Sequence, residues 1–441
     1  MNEKMKNIFL ALVITFSIVN VSTGQIKIGL ALPLMKNSED AEEKKTGMQI
    51  LKGVNDALRE YNESDESVTV LTVSEDTKKD AAITLEILNR FGTDSNFIAV
   101  FGPVYSSEII NNAGAPLFHK IPVITPTATV NFLAVKNPYL FQLNPTYDVR
   151  GRLMAKFAMN ELGMKNFVIL SEDNYGKNIA GSFSEEIISN KGTIEAAEYY
   201  SKDSIDIKSQ IENLKKKIAG KDKFIDFGKL TANQIEKLKN AKLKFSNTDS
   251  LINAGLTVSI YKLFGKNAER ISDSLKLFPV TLPDISQKVI PGYIDAIYIP
   301  VSSYNDIGKI SLEYFSSGIN LPVIGTSDWS NEKALSDYKS YIKELYFDSD
   351  FYLKDNSKGD SFGNNETEIR NYYFGYDGMK LILNKISEGN KTRKSLNEAL
   401  ENTVNYEAEH INYSISERTN HEMSVMYLKN GELKKLMNYK Y

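Results

Sequence analysis

Strand-like runs alternate with helix-like segments along most of the chain, and this alternation limits the possible folds more than any other feature of the sequence. Ile26–Leu32 is an apolar run, and Thr46–Tyr61 follows with apolar residues spaced by three or four, as on one face of a helix. Val68–Val73 and Phe97–Phe101 are further strand-like runs on either side of the helix-like segment Ala81–Phe91. Such an order predicts a parallel sheet covered by helices on both faces.

The same pattern begins again near residue 148. Arg150–Leu162 has helical periodicity, Phe167–Ser171 is a strand-like run, and Asn178–Ser189 is helical again. A chain of 441 residues has room for about three domains of typical size. We therefore predict an α/β protein made of two doubly wound lobes, not one long sheet.

A lysine-rich segment, residues 215–290, interrupts the second half. Residues 208–244 contain eleven lysines but only four acidic residues. The pattern predicts a helical insertion in the second lobe. Two interpretations stay open, a solvated helical surface or a docking surface for an acidic partner or a membrane face.

The first 24 residues have the pattern of a secretory signal peptide. Lys4 and Lys6 precede the mostly apolar run Ile8–Val21, and small residues stand before a cleavage point at Gln25. An uncleaved anchor is the alternative, but the run is shorter than the roughly 20 residues of a spanning helix. Because the chain has no cysteine, it cannot carry a lipoprotein anchor. We expect a periplasmic protein with no stable membrane insertion after signal removal.

Composition and missing motifs argue against several classes of function. With no cysteine and three histidines, none in a recognisable motif, we expect no metal or cofactor. A formal net charge of −3 argues against a nucleic-acid partner. No phosphate-binding loop, zinc-protease motif or nucleophile elbow occurs, so we expect no enzymatic activity. The acidic pairs Glu172-Asp173 and Asp348-Asp350 keep a glycosidase-like activity as an alternative, although solvated surfaces commonly carry such pairs.

Polar residues follow two consecutive strands of the first half. Ser106 and Ser107 stand where the third strand gives way to a helix, and Thr127 and Thr129 hold the same position one strand later. The carboxyl ends of parallel strands meet at one sheet edge, where helix N-termini attract anions. These hydroxyl and N–H groups are therefore candidates to bind a carboxylate, with simple helix N-capping as the alternative.

Four stretches in this order resemble type I periplasmic binding proteins, the group that includes branched-chain amino-acid receptors of ABC transporters. They are IKIGLALPLM, FGPVYSSEIINNAGAPLFHKIPVITPTATVNFL, VILSEDNYGKNIAGSF and DAIYIPVSSYNDIGKISLEYFSSGINLPVIGTSDW. The resemblance implies two lobes joined by a three-strand hinge. It also implies a division into signal peptide 1–24, first lobe 25–147, second lobe 148–348, first lobe again 349–420, and a second-lobe segment 421–441.

By the same resemblance, the ligand-binding residues include groups from both lobes. Ser106, the Thr127 backbone and Thr129 would bind an α-carboxylate, with Ser107 beside them. In the second lobe, Tyr175 and Asp328 occupy positions where relatives place a tyrosine and an acid that pairs with the ligand ammonium.

Two questions about the second-lobe residues stay open. Asp328 could instead cap a helix that starts near Asn331. Trp329, the single tryptophan, either lines the cleft mouth or packs in the interior.

The expected function is that of a receptor that closes around an amino-acid-like ligand and delivers it to an ABC permease. The alternative is a periplasmic sensor or a regulatory interaction module that contacts an envelope protein.

Overall fold

The computed structural model describes residues 25–64, 68–201, 206–241, 254–281, 289–301, 304–353 and 365–441. The expected signal peptide, residues 1–24, and parts of the lysine-rich segment lie outside these ranges. Within them, no helix is long and apolar enough to cross a membrane.

The strands are short, and most are buried. In chain order they are β1 (Gln25–Leu32), β2 (Thr69–Asp76), β3 (Phe97–Phe101), β4 (Val123–Thr125), β5 (Leu140–Gln142), β6 (Asn166–Glu172), β7 (Thr193–Tyr200), β8 (Phe224–Asp226), β9 (Thr257–Ser259), β10 (Val289–Ile290), β11 (Ala296–Tyr298), β12 (Val323–Gly325), β13 (Glu344–Ser349), β14 (Tyr406–Glu407), β15 (Asn412–Tyr413), β16 (Ile415–Ser416), β17 (Thr419–Asn420), β18 (Glu422–Lys429) and β19 (Glu432–Lys440).

Helices follow most of these strands. In chain order they are α1 (Ala41–Glu63), α2 (Ala81–Thr93), α3 (Ser106–Ile110), α4 (Gly114–His119), α5 (Tyr147–Asn160), α6 (Tyr175–Ser189), α7 (Lys208–Gly220), α8 (Ala232–Asn240), α9 (Ile260–Phe264), α10 (Ala268–Leu275), α11 (Tyr304–Ser316), α12 (Glu332–Tyr338), α13 (Glu366–Ser387) and α14 (Arg393–Glu401).

The first lobe is built on a seven-stranded sheet with the order β16-β17-β5-β4-β3-β1-β2. Its strands are parallel except for the β16–β17 pair. Alternate side chains of β1, such as Ile28 and Leu30, point to the core under α1 and α13, whereas Ala31 packs with α2 to α4. The sheet is therefore buried on both faces, as the apolar runs of the sequence predict.

The second lobe repeats this plan with the order β19-β18-β13-β12-β11-β6-β7. The strands from β7 to β13 in this order are parallel, and the β18–β19 hairpin adds to them antiparallel. One face packs against α5 and α6 through residues such as Phe157 and Phe183, and the other against α7 and α11.

The chain passes between the two sheets three times. It leaves the first sheet after β5 to form α5, returns after β13 to form α13, and crosses again from β17 to β18. These features confirm the predicted α/β fold of two doubly wound lobes joined by three chain crossings.

The lysine-rich segment differs in detail from the expected helical insertion. Helix α7, which starts before the segment and runs into it, packs on the second sheet through Ile211, Leu214 and Ile218, so it belongs to the lobe itself. The strands β8, β9 and β10 form a separate small sheet with a core of its own, which includes Phe227 and Leu263. Strands of two or three residues are too short to show alternation, which is why the sequence predicted helices alone.

The buried Asp222 ties this small sheet to the second lobe. Its carboxylate accepts hydrogen bonds from the Ser259 hydroxyl at 2.6 Å and from the backbone N–H groups of Gly292 and Tyr293 at 2.8 and 3.1 Å. Several hydrogen bonds to one buried carboxylate are the usual way to offset its burial.

Helices α1 and α13 approach closely because glycines face the opposite backbone. A β-carbon on Gly53 would lie 2.0 Å from the Tyr372 carbonyl oxygen, and one on Gly375 would lie 2.1 Å from the Ile50 carbonyl oxygen. Any other residue at either position would force the two helix backbones apart, because real β-carbons do not approach other atoms so closely.

Replacing Gly53 with alanine is therefore expected to lower the free energy of unfolding by about 1–3 kcal/mol. Denaturant titration followed by circular dichroism would measure the loss. Gly181→Ala in α6 is the matched control, since a β-carbon there meets nothing within 4 Å. The control should be neutral or stabilising by up to about 1 kcal/mol, because alanine is the better helix former. Equal effects of the two changes would contradict the close-packing argument.

Candidate ligand cavity between the two lobes

A cavity of about 490 Å³ lies where the two lobes face each other. This volume falls in the usual range for small-molecule sites. Its lining residues come from the first lobe, from the chain crossing before α5 and from the second lobe: Thr46, Val104, Tyr105, Ser106, Thr127, Thr129, Asn144, Tyr147, Arg150, Tyr175, Ser327, Asp328, Thr367, Arg370, Asn371 and Phe374.

Five of the six residues singled out by the sequence line this cavity, namely Ser106, Thr127, Thr129, Tyr175 and Asp328. Ser107 is not among the lining residues, and its side chain is exposed. The structure therefore brings together groups that are more than 200 residues apart in the chain.

The first-lobe hydroxyls join the two loops that follow β3 and β4. Ser106 Oγ accepts hydrogen bonds from the backbone N–H groups of Thr129 and Val130 at 3.2 and 3.3 Å. The Thr127 hydroxyl donates to the Val104 carbonyl at 2.6 Å. Because Ser106 Oγ already accepts two bonds, its hydroxyl hydrogen is the part that can serve a ligand.

Neither serine caps the helix that follows β3. Tyr105 occupies the N-cap of α3, and the Glu108 carboxylate accepts a hydrogen bond from the Tyr105 N–H at 2.9 Å. Glu108 is buried, and this burial raises its pKa. The capping alternative for Ser106 and Ser107 is therefore wrong, and Glu108 holds the loop that presents Ser106.

On the opposite wall, the Tyr175 hydroxyl donates to Asp328 Oδ2 at 2.7 Å. Tyr175 begins α6, where its ring meets Tyr147 edge-on at 5.0 Å, and Asp328 lies in a turn of 3₁₀ helix just after β12. Burial raises the pKa of Asp328, although the Tyr175 hydrogen bond and the Arg150 charge act in the other direction. Burial and the Asp328 charge together raise the pKa of Tyr175 well above its usual value.

Asp328 does not cap α12, and Trp329 lies in the interior. Asn331, not Asp328, caps α12, since its side chain accepts from the Ala334 N–H. Trp329 is fully buried and donates from its indole N–H to the Ile299 carbonyl at 2.9 Å. Asp328 thus has no capping role there, and Trp329 packs in the interior and does not line the cleft.

Sequence reasoning missed Arg150, which stands at the base of the cavity. The buried guanidinium reaches acceptors in both lobes and in the crossings between them. They are the Pro145 carbonyl at 3.0 Å, Asn144 Oδ1 at 2.7 Å, Asp350 Oδ2 at 2.7 Å, Asp348 Oδ2 at 3.4 Å and Ser327 Oγ. All three nitrogens of Arg150 are thereby engaged by the protein itself.

Arg370 was missed as well and extends this network into the first lobe. It lies on α13, donates from Nη2 to Asp350 Oδ2, and places its guanidinium carbon 5.3 Å from the centre of the Phe374 ring. Its buried Nε has no hydrogen-bond partner among the described residues.

The acidic pair Asp348-Asp350, expected on a solvated surface, is buried beside these arginines. Burial raises the pKa of Asp348 to about 7, although Arg150 pulls it down. Burial also disfavours the charged form of Asp350, but Arg370 and Arg150 outweigh it and hold the pKa of Asp350 at about 2.

A pair of acids at the end of the buried strand β13 was the sequence signal that could have pointed to an ion-pair network. The network joins residues of both lobes near two of the chain crossings, and neither acid lines the cavity, so the pair is not placed to act on a glycoside there. In the described part of the chain, no three His, Asp or Glu side chains are grouped to hold a metal ion.

Comparisons with known proteins agree with this architecture. The sequence model of the periplasmic binding protein family matches residues 25–284, more than half of the chain. No curated protein sequence is a significant match.

Solved structures of low sequence identity share the fold. A putative branched-chain amino-acid ABC transporter protein from Rhodospirillum rubrum is 15% identical with a TM-score of 0.66, covering 93% of this chain and 100% of that one. The isoleucine-bound branched-chain amino-acid transporter substrate-binding protein of Streptococcus pneumoniae is 19% identical with a TM-score of 0.51, covering 95% and 99%. A benzoate-bound solute-binding protein of R. palustris is 14% identical with a TM-score of 0.51, covering 94% and 96%. From the family match and the shared fold, the chain belongs to the periplasmic binding protein family, has the two-lobed type I fold, and is a binding protein, not an enzyme.

Proposed function

We propose that this protein is a periplasmic receptor that binds an amino acid in the cavity between its lobes and delivers it to an ABC permease. The observation that carries the proposal is the Tyr175–Asp328 pair, which faces the Ser106 and Thr129 loops across the cavity. An acid on one wall and hydroxyl groups on the other suit the two ends of a zwitterion.

The two walls have complementary tasks. Asp328, oriented by Tyr175, accepts a charge-assisted hydrogen bond from the ligand ammonium group. Ser106 donates its hydroxyl to the ligand carboxylate, beside the loops that follow β3 and β4. Neither wall alone can satisfy both ends of the ligand.

A ligand held from both sides favours the closed arrangement of the lobes. It binds that state more tightly because both walls contact it there, and the difference in affinity shifts the population towards closure. The crossings from β5 to α5 and from β17 to β18 are short, so the lobes can rotate about them as units. A permease that recognises the closed form would then bind the loaded receptor and take up its ligand.

Export and lobe boundaries are part of the proposal. Residues 1–24 would be removed as a signal peptide and leave the mature chain in the periplasm, the usual location of the family. Residues 25–147 and 349–420 would move as the first lobe, and residues 148–348 and 421–441 as the second.

A second candidate is a sensor or regulatory module that docks an envelope protein through the lysine-rich segment. Its small sheet has a core of its own and could offer a separate surface. Several of its lysines are already paired, however, as in Lys217–Glu198 at 2.9 Å and Lys223–Glu269 at 2.7 Å. This pairing reduces the charge available to an acidic partner.

A ligand panel tests the proposal. The purified mature protein is heated with each of the common amino acids and, because benzoate binds a protein of the same fold, with benzoate. A true ligand at about 100 times its Kd should stabilise the protein by about 2.7 kcal/mol. Isothermal titration calorimetry then gives the Kd of each hit. Absence of a shift with every amino acid would contradict the proposal, and a shift with benzoate alone would replace the amino acid by an aromatic acid.

A further inference from the structure

We propose that the cavity selects an amino acid with a negatively charged side chain, and that Arg370 is the residue that binds that second carboxylate. The inference rests on the proposed function and narrows it to one ligand class.

The polarity of the cavity is the first argument. Among the described lining residues, Val104 and Phe374 are the ones whose side chains are pure hydrocarbon, and the others carry hydroxyl, amide, guanidinium or carboxylate groups. A branched aliphatic side chain would bury the lining groups that the protein leaves unpaired, such as the remaining donors of Arg370, without offering them partners, which costs free energy. The lining therefore favours a ligand that carries a further polar group.

The two arginines at the cavity differ in the donors they have left. Arg150 uses Nε, Nη1 and Nη2 on acceptors of the protein. Arg370 donates from Nη2 to Asp350, no further acceptor contacts it in the described part of the chain, and 35% of its side chain is exposed. Because a guanidinium has five N–H donors in a planar fork, Arg370 can offer a ligand carboxylate what Arg150 cannot.

Arg370 is also held in place before a ligand arrives. Asp350 accepts from Nη2, and the guanidinium carbon lies 5.3 Å from the centre of the Phe374 ring. Asp350 is fixed in turn by Arg150 at 2.7 Å. A group fixed in this way loses little conformational freedom on binding, so its contact contributes more to affinity.

Arg370 shares its carboxylate partner with Arg150. Asp350 Oδ2 accepts hydrogen bonds from both guanidinium groups, and Asp348 approaches Arg150 at 3.4 Å. Asp328 is needed for the ligand ammonium. A second carboxylate on the ligand would therefore be a partner that Arg370 does not have to share, in a charge-assisted hydrogen bond.

Matched pairs of amino acids test this inference by calorimetry at pH 7.5. Glutamate is compared with glutamine, and aspartate with asparagine, because each pair differs in charge but hardly in shape. At least one acid should bind about 10- to 150-fold more tightly than its amide, the range for a hydrogen bond to a charged group. Arg370→Gln should bring the two constants of that pair within a few-fold of each other, and Arg370→Lys should retain part of the difference.

The outcomes separate this inference from the proposed function. If the wild type binds an amide as tightly as its acid, or prefers a neutral aliphatic amino acid, charge selection is wrong and the amino-acid receptor stands. If the wild type binds no amino acid at all, the receptor proposal fails and this inference falls with it. Should Arg370→Gln fail to fold, the wild-type pairs and Arg370→Lys still decide the question. Undiminished discrimination in a folded Arg370 variant would assign the selection to another residue.

Discussion

Replacing Arg150 with methionine is expected to lower the free energy of unfolding by about 3–5 kcal/mol. The change removes the donors for Asn144, Ser327, Asp348 and Asp350 and leaves two acids in the interior. Asp350 would keep Arg370 as a partner, but Asp348 would lose the one cation that approaches it among the residues with a described position. Urea unfolding at pH 8, above the pKa of about 7 for Asp348, measures the loss with both acids ionised in the wild type.

Arg59→Met is the matched control for this prediction. Arg59 also forms an ion pair, with Asp56 at 2.9 Å, but 60% of its side chain is exposed. Exposed pairs contribute about 0–1 kcal/mol, so the control should change little. A loss for Arg150→Met no larger than for Arg59→Met would show that the buried network does not stabilise the protein.

Replacing Asp328 with asparagine is expected to weaken amino-acid binding by about 30- to 5000-fold. This range corresponds to the 2–5 kcal/mol lost when one member of a buried charge pair is removed. Asparagine keeps the size and an acceptor for Tyr175 but loses the charge that would face the ligand ammonium. Isothermal titration calorimetry with the best ligand of the panel measures the effect.

Asn331→Ala controls for local damage to the same segment. Asn331 caps α12 three residues further along, so its loss should cost about 1 kcal/mol of stability. Because Asn331 does not line the cavity, the Kd should stay as in the wild type. A Kd that is unchanged in Asp328→Asn, or equally raised in Asn331→Ala, would reject the role assigned to Asp328.

The alternation of strands and helices could be predicted because both sheets are buried on both faces. A strand such as β3, with all five residues buried, has to be an apolar run, and the helix after it has to show one apolar face. The small sheet of the lysine-rich segment could not be predicted in this way. β8 and β9 have three residues each, and their charged neighbours hide so short a pattern.

The hydroxyl and acid groups of the cavity could be predicted because they follow strands, and strand ends meet at a known edge. The arginines could not, since their partners are set by the packing of the two lobes. Arg150 is 200 residues from Asp350 in the chain, and nothing near either residue marks the pairing. Burial sets the pKa of Asp348 and the two arginines set that of Asp350, and both effects depend on the whole fold around them.

Both sheets are completed by residues from the far end of the chain. β16 and β17 close one edge of the first sheet, and β18 separates β13 from β19 in the second. The first sheet therefore cannot be complete before the ribosome has passed residue 420, nor the second before residue 440, and pairing over such distances is slow. Slow assembly would suit the export proposed above, because a translocation channel takes chains that are still extended.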